Sequence, residues 1–157
     1  MSNDVNLGLL GEAWLGVAKG LNHVVGVFPG TGVGGAAITN GKLLLGQQGA
    51  ATELGHMMLD IHGPLCHCGN HGCLEALASR WAIERDLRAS IKSGRKSCII
   101  KMTDGKLNQI KSRILKEALE KNDPLVKQVI TKAAVVLGHG AISLNHIFNP
   151  QAIVFGG

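Results

Sequence analysis

Three cysteines fall within one short run, Cys66-His67-Cys68-Gly69-Asn70-His71-Gly72-Cys73. An oxidised framework shows dispersed, even-numbered cysteines, so this cluster reads as a metal site. Zinc prefers a tetrahedral shell of thiolates and imidazole. Cys66, Cys68 and Cys73 supply three ligands, and the fourth is drawn from His56, His62, His67 and His71. Gly69 and Gly72 let the chain turn round the ion. His67 lies between two ligands and points elsewhere most easily. His56 comes from a separate segment, so a metal bound there would staple that segment to the knuckle. Four protein ligands leave no open position, so the expected ion is structural. Cys98 stands outside the block and reads as a reduced thiol.

The rest of the composition bounds the class. The chain has 157 residues, 45% hydrophobic and 17% charged, enough to bury one core. Its 22 glycines follow no period, which excludes collagen and points to tight turns and close backbone approach to a ligand. Aromatics are 3% with no tyrosine, which argues against a base-stacking platform. Net charge is +5, yet the basic residues spread over Arg80 to Lys132 rather than forming one block. That pattern fits a site for anionic phosphates better than a nucleic-acid surface. No charged segment with an apolar run comes after Met1, and no stretch approaches about 18 consecutive apolar residues. The expectation is a cytoplasmic protein without a membrane segment.

Periodicity predicts a mixed α/β chain. Leu7 to Lys19 has helical spacing, with Gly20 as its C-terminal cap. His23 to Phe28, Gly34 to Thr39 and Lys42 to Leu45 read as strands, the last two joined by an Asn40-Gly41 hairpin turn. Gln47 to Ala51 is loop, and Thr52 to Leu59 is strand or turn. Leu74 to Arg88 reads as one helix. Ser90 to Thr103 reads as irregular or a short helix, and Asn108 to Lys121 as an amphipathic helix. Asp123 caps a further helix that begins at Pro124 and runs to Phe148. Ala152 to Phe155 is a last strand.

Three more features carry chemistry. Pro29-Gly30-Thr31-Gly32-Val33-Gly34-Gly35 sits between two strands. It lacks the Lys-Ser/Thr of a P-loop, and it leads into a strand rather than a helix. Such a turn presents backbone N–H groups and Thr31 to phosphate, although a plain hairpin has the same signature. Glu53, His56 and Glu75, near a rigid knuckle, suit sugar hydroxyls; a solvated acid at Glu53 and a helix N-terminal acid at Glu75 are the simpler readings. Asp4 can orient a hydroxyl and take its proton, or merely cap a helix.

Together these residues resemble the ROK family of bacterial sugar kinases and sugar-responsive repressors. The resemblance rests on Asn3-Asp4-x-Asn6, Gly30-Thr31-Gly32-x-Gly34-Gly35, Glu53-x-Gly55-His56, and Gly63-Pro64-x-Cys66-x-Cys68-Gly69-x-x-Gly72-Cys73-x-Glu75. It implies the actin-like, ribonuclease-H-like ATPase fold, here mostly the C-terminal lobe, with a zinc knuckle. Asp4 matches the catalytic base. Asn3, Glu53, His56 and Glu75 match sugar contacts, and His56 also matches the fourth ligand beside Cys66, Cys68 and Cys73. Gly30, Thr31 and Gly32 match the second phosphate loop, and Gly156 and Gly157 the start of the adenosine segment. The implied substrates are a hexose or N-acetylhexosamine and ATP with Mg²⁺, and the implied assembly is a dimer or tetramer.

Two departures stand out. The family's first phosphate motif, an Asp before a Gly-Gly-Thr turn, is absent, and Ala36-Ala37 replaces a longer glycine run. Residues 1–157 are therefore expected to form a partial ROK domain without the N-terminal lobe and C-terminal end, inactive alone. The first reading is a glucokinase-like enzyme. The second is the sugar-sensing domain of a ROK repressor, and the third a zinc-stabilised interaction domain.

Overall fold

A computed structural model of the chain describes residues 4–156. Its centre is a four-stranded sheet in the order β3-β2-β1-β4. Strand β1 (Val24–Pro29) and strand β2 (Val33–Thr39) pair antiparallel, from Val24 opposite Ile38 to Pro29 opposite Val33. Strand β3 (Lys42–Leu43) continues past the Asn40-Gly41 turn. Both turn residues have positive φ, 49° and 71°, the conformation a two-residue hairpin of this type demands. Strand β4 (Ala152–Phe155) returns to pair parallel with β1. The crossover between them holds most of the helices, as a parallel pairing requires.

Residues of β1 alternate between two cores, in keeping with the two-residue period of a strand. Val24 joins Leu9, Ala36, Ile38 and Val154 beneath helix α1 (Asp4–Leu15). Val25 and Val27 join Leu74, Ala78, Ala133 and Leu144 on the opposite face. Those partners belong to helix α2 (Leu74–Ala78) and helix α6 (Pro124–Phe148). A second helical core lies away from the sheet. There Leu87 of α3 (Arg80–Lys92) meets Ile99 of α4 (Ile99–Met102), Ile114 of α5 (Ser112–Glu120) and Val126 of α6.

Several boundaries differ from expectation. Helix α1 begins at Asp4 and stops at Leu15 instead of running to Lys19. The Glu12 carboxylate folds back to accept the Val17 N–H, and Gly16 makes room for it. The expected helix from Leu74 to Arg88 is two helices. Ser79 is extended (φ −71°, ψ 166°), and its hydroxyl accepts the Ala82 N–H at 3.2 Å, so it caps a fresh helix, α3. That helix continues to Lys92, and Ile99–Met102 adds one more turn. Thr52 to Leu59 resolves into a 3₁₀ turn at Leu54–His56, and β3 ends at Leu43.

The expected start of α6 is observed. Asp123 accepts the N–H groups of Leu125 and Val126, both at 3.0 Å, and Pro124 is the first helical residue. Asn149 ends the helix in a left-handed conformation. By length and composition α6 could cross a membrane. Here its Leu125, Val126, Val129, Ala133, Gly140 and Leu144 are buried inside the fold, and Leu74 packs on Gly140.

Candidate functional site

The chemistry-bearing residues converge where the β1–β2 turn meets the cysteine knuckle. A cleft of about 560 Å³ is lined by Asp4, Gly30, Thr31, Gly32, Glu53, His56 and Glu75, with Phe28 and Val33 among the apolar groups. Separate stretches of chain supply these residues. The first turn of α1 brings Asp4, the β1–β2 turn the glycines and Thr31, the 3₁₀ turn Glu53 and His56, and the first turn of α2 Glu75.

Glu75 fixes one wall. Its Oε2 accepts the backbone N–H of Val33 at 3.1 Å. The carboxylate lies where a Cβ on Gly32 would stand, so only glycine permits that approach. Its Oε1 faces Cys66 Sγ at 3.8 Å and His67 Nδ1 at 3.9 Å. One carboxylate thus ties the glycine turn to the knuckle.

The knuckle is a closed loop. Gly72 has φ +62°, and its Cα packs so tightly on the Asp60 carbonyl that no side chain fits. The Cys66 N–H donates to Asn70 O at 2.8 Å, and the Gly69 N–H to Cys66 O at 3.0 Å. Trp81 of α3 packs on the buried Cys66 and Cys73, and Arg85 lies 5.1 Å over its ring.

One ligand atom from each of His56, Cys66, Cys68 and Cys73 lies within 4.8 Å of every other. Cys66 Sγ and His56 Nδ1 are 3.6 Å apart, and so are Cys68 Sγ and Cys73 Sγ. Tetrahedral zinc, with Zn–S about 2.3 Å and Zn–N about 2.0 Å, puts such pairs roughly 3.5–3.8 Å apart. The donor set and its spacing fit that ion. Of the four histidines open as fourth ligand, His56 alone joins the cluster; the Nδ1 of His71 pairs with the Gly63 carbonyl, and His67 stacks 4.6 Å from Trp81. Burial, with hydrogen bonds to Cys68 and Cys66, pushes the Cys73 thiol up to about 12. Exposed Cys68 moves the other way, chiefly through a hydrogen bond from the Asn70 backbone.

The remaining expected residues stand apart. Gly156 donates its N–H to Val27 O at 3.1 Å and lies against Phe28, without itself lining the cleft. Asn3 and Gly157 lie outside the described residues. Two groups escaped the sequence reading. One is the Val33 N–H that holds Glu75. The other is Arg80, whose Nη2 donates to Thr31 Oγ1 at 2.6 Å. No local sequence signal marks Arg80, since the contact spans 49 positions.

The ROK family profile matches residues 1–157. A glucokinase of Thermotoga maritima is 37% identical over all of this chain and 49% of its own length. A putative xylose repressor of a Caldicellulosiruptor species is 33% identical over 99% of this chain and 39% of its own. The crystal structure of a ROK family glucokinase from Streptomyces griseus, with glucose and AMPPNP, superposes with TM-score 0.89. It is 31% identical, and the match covers all of this chain and 51% of that one. The chain spans about half the length of the glucokinases it matches. The mixed sheet with its helices is therefore the actin-like ATPase fold.

Proposed function

Because this chain belongs to the ROK family, we propose that it supplies the hexose grip, the base and a phosphate loop of a glucokinase-like, ATP-dependent sugar kinase. The observation that carries the proposal is the convergence of Asp4, Thr31, Glu53, His56 and Glu75 on one cleft. The glucokinases of Thermotoga maritima and Streptomyces griseus, the latter with glucose and AMPPNP, support it.

The roles below follow the family resemblance, and the convergence of these residues on one cleft supports them. Glu53 and Glu75 accept hydrogen bonds from hexose or N-acetylhexosamine hydroxyls. Asp4 orients the acceptor hydroxyl and takes its proton as the oxygen attacks the γ-phosphorus of ATP, while ADP leaves. Its own position is steadied by the Val5 N–H, which donates to Oδ1 at 2.9 Å. Thr31 and the N–H groups of the glycine turn receive the donor's phosphates, with Mg²⁺ accompanying ATP. By the same resemblance Asn3 is assigned a sugar contact, and Gly156 and Gly157 the edge of an adenosine site.

His56, Cys66, Cys68 and Cys73 would hold zinc, which supplies rigidity rather than an open coordination position. With Nδ1 facing Cys66 Sγ, a zinc-bound His56 would present its Nε2–H as a donor for a sugar oxygen. A reducing, cytoplasmic setting, where thiols stay available to bind zinc, is part of this proposal. Residues 1–157 are proposed as one part of a two-lobed cleft, and assembly into dimers or tetramers belongs to the same proposal.

A coupled assay of ATP-dependent glucose phosphorylation on the full-length protein tests this reading. Turnover that disappears in Asp4→Asn supports it, and wild-type protein without turnover on any hexose counts against it. The likeness to a xylose repressor favours one second reading, a sugar-sensing module. That reading predicts saturable sugar binding with no phosphorylation.

A further inference from the structure

Two clefts meet at Gly30. The first carries Asp4, Glu53 and Glu75 and no lysine or arginine. The second, of about 460 Å³, is walled by Ile83, Ile130, Ala133 and Leu137, and Arg80 is the one lysine or arginine among the described residues lining either. Phosphoryl transfer concentrates negative charge between donor and acceptor, and needs positive groups held in place there.

Arg80 is held at that junction. Its backbone N–H donates to Gly30 O at 3.0 Å, and the Trp81 N–H to Thr31 O at 3.4 Å, so the N-terminus of α3 is docked on the turn. These N–H groups are therefore spent. The guanidinium is the positive group that remains. Nη2 donates to Thr31 Oγ1 at 2.6 Å and Nη1 to Ser112 Oγ at 3.3 Å. Nε is buried and makes no hydrogen bond, with Glu84 Oε1 at 3.4 Å as its ionic neighbour.

The bond to Thr31 has a direction. A hydroxyl whose oxygen accepts from a guanidinium has its own proton free to donate elsewhere, and that donor is polarised by the adjacent charge. Thr31 lines the first cleft and Arg80 the second. We propose that Arg80 is a positioning residue for the donor's polyphosphate. It turns the Thr31 hydroxyl proton toward a phosphate oxygen and holds a permanent positive charge behind it. The proposal rests on the sugar-kinase reading for the identity of the donor, a nucleoside triphosphate.

The test is calorimetric titration of the chain with Mg-ATP, with inorganic tripolyphosphate and, in parallel, with glucose. Wild type is compared with Arg80→Gln, Arg80→Lys, Thr31→Val and the Arg80→Gln/Thr31→Val pair, with melting curves for each. Arg80→Gln is expected to weaken ATP and tripolyphosphate about tenfold or more and to flatten their salt dependence, with glucose affinity unchanged. Arg80→Lys restores part of the loss, because it keeps the charge but not the fork. The paired variant loses less than the sum of its single changes, because Arg80 acts through Thr31. Three results would overturn the proposal: ATP affinity unchanged in Arg80→Gln, ATP and glucose affinity falling in equal proportion, or a wild-type chain that binds neither polyphosphate. Binding of ATP with the expected Arg80 dependence but no sugar would support it, while removing the sugar-kinase reading.

Discussion

Glu75 Oε2 accepts the backbone N–H of Val33 at 3.1 Å, across 42 positions of sequence. The bond fastens the glycine turn to the first turn of α2, directly after Cys73. The glycine turn and the cysteine loop therefore share one anchoring carboxylate.

Glu75→Ala should leave the Val33 N–H without its acceptor, at about 1–2 kcal/mol. For a chain of this size that lowers the melting temperature by roughly 2–8 °C. Glucose affinity should fall tenfold or more. Glu75→Gln retains an acceptor for Val33, so it should recover most of the melting temperature and less of the affinity. An alanine variant that melts like wild type would remove the anchoring role.

Elemental analysis should find about one zinc per chain. Stripping it, or replacing Cys68 by Ser, should lower the melting temperature and weaken glucose binding together, because the same ion would orient His56. Loading should release protons, since the Cys73 thiol sits up near 12 until metal displaces its proton. Zinc affinity should therefore weaken as pH falls. A metal-free protein with unchanged melting and sugar affinity would contradict the structural role.

Asp4→Asn keeps size and hydrogen bonding but cannot accept the hydroxyl proton. In the full-length protein kcat should drop by about 10²–10⁴, with glucose affinity within a few-fold of wild type. A coupled assay beside calorimetry separates the two quantities. Near-normal turnover would mean that another group is the base.

Asp123 stabilises a distant part of the fold in a pH-dependent way. Burial opposes its charge, but N–H donors from Val126 and Cys98 and the Ser97 hydroxyl outweigh burial and lower its pKa from the ordinary 3.8. A carboxyl that is more acidic when folded stabilises the fold above its unfolded value. That contribution disappears as pH falls through the folded value. Asp123→Ala should cost about 2 kcal/mol near pH 7, and its melting temperature should depend less steeply on pH below about 4 than that of wild type. Parallel slopes in acid would rule out this linkage.

Local chemistry made some of this legible in sequence and hid the rest. Asn40-Gly41 and Asp123-Pro124 each encode a backbone conformation in adjacent residues, and both appear where the pattern puts them. The close spacing of Cys66, Cys68 and Cys73, with Gly69 and Gly72 to turn the chain, lets one local loop bring their sulfurs together. Ser79 was opaque because it lies inside a helical apolar pattern, and only the docking of Arg80 and Trp81 on the glycine turn makes it a cap. The bonds from Arg80 to Thr31 and from Val33 to Glu75 depend on how separate elements pack, and no local pattern announces such pairs.

Calorimetric titration of the zinc-loaded chain with glucose and N-acetylglucosamine tests the central claim most directly. The account predicts saturable one-to-one binding of at least one of these sugars, weakened tenfold or more in Glu75→Ala. The absence of binding heat with either sugar, in a protein that carries its zinc and melts cooperatively, would contradict it.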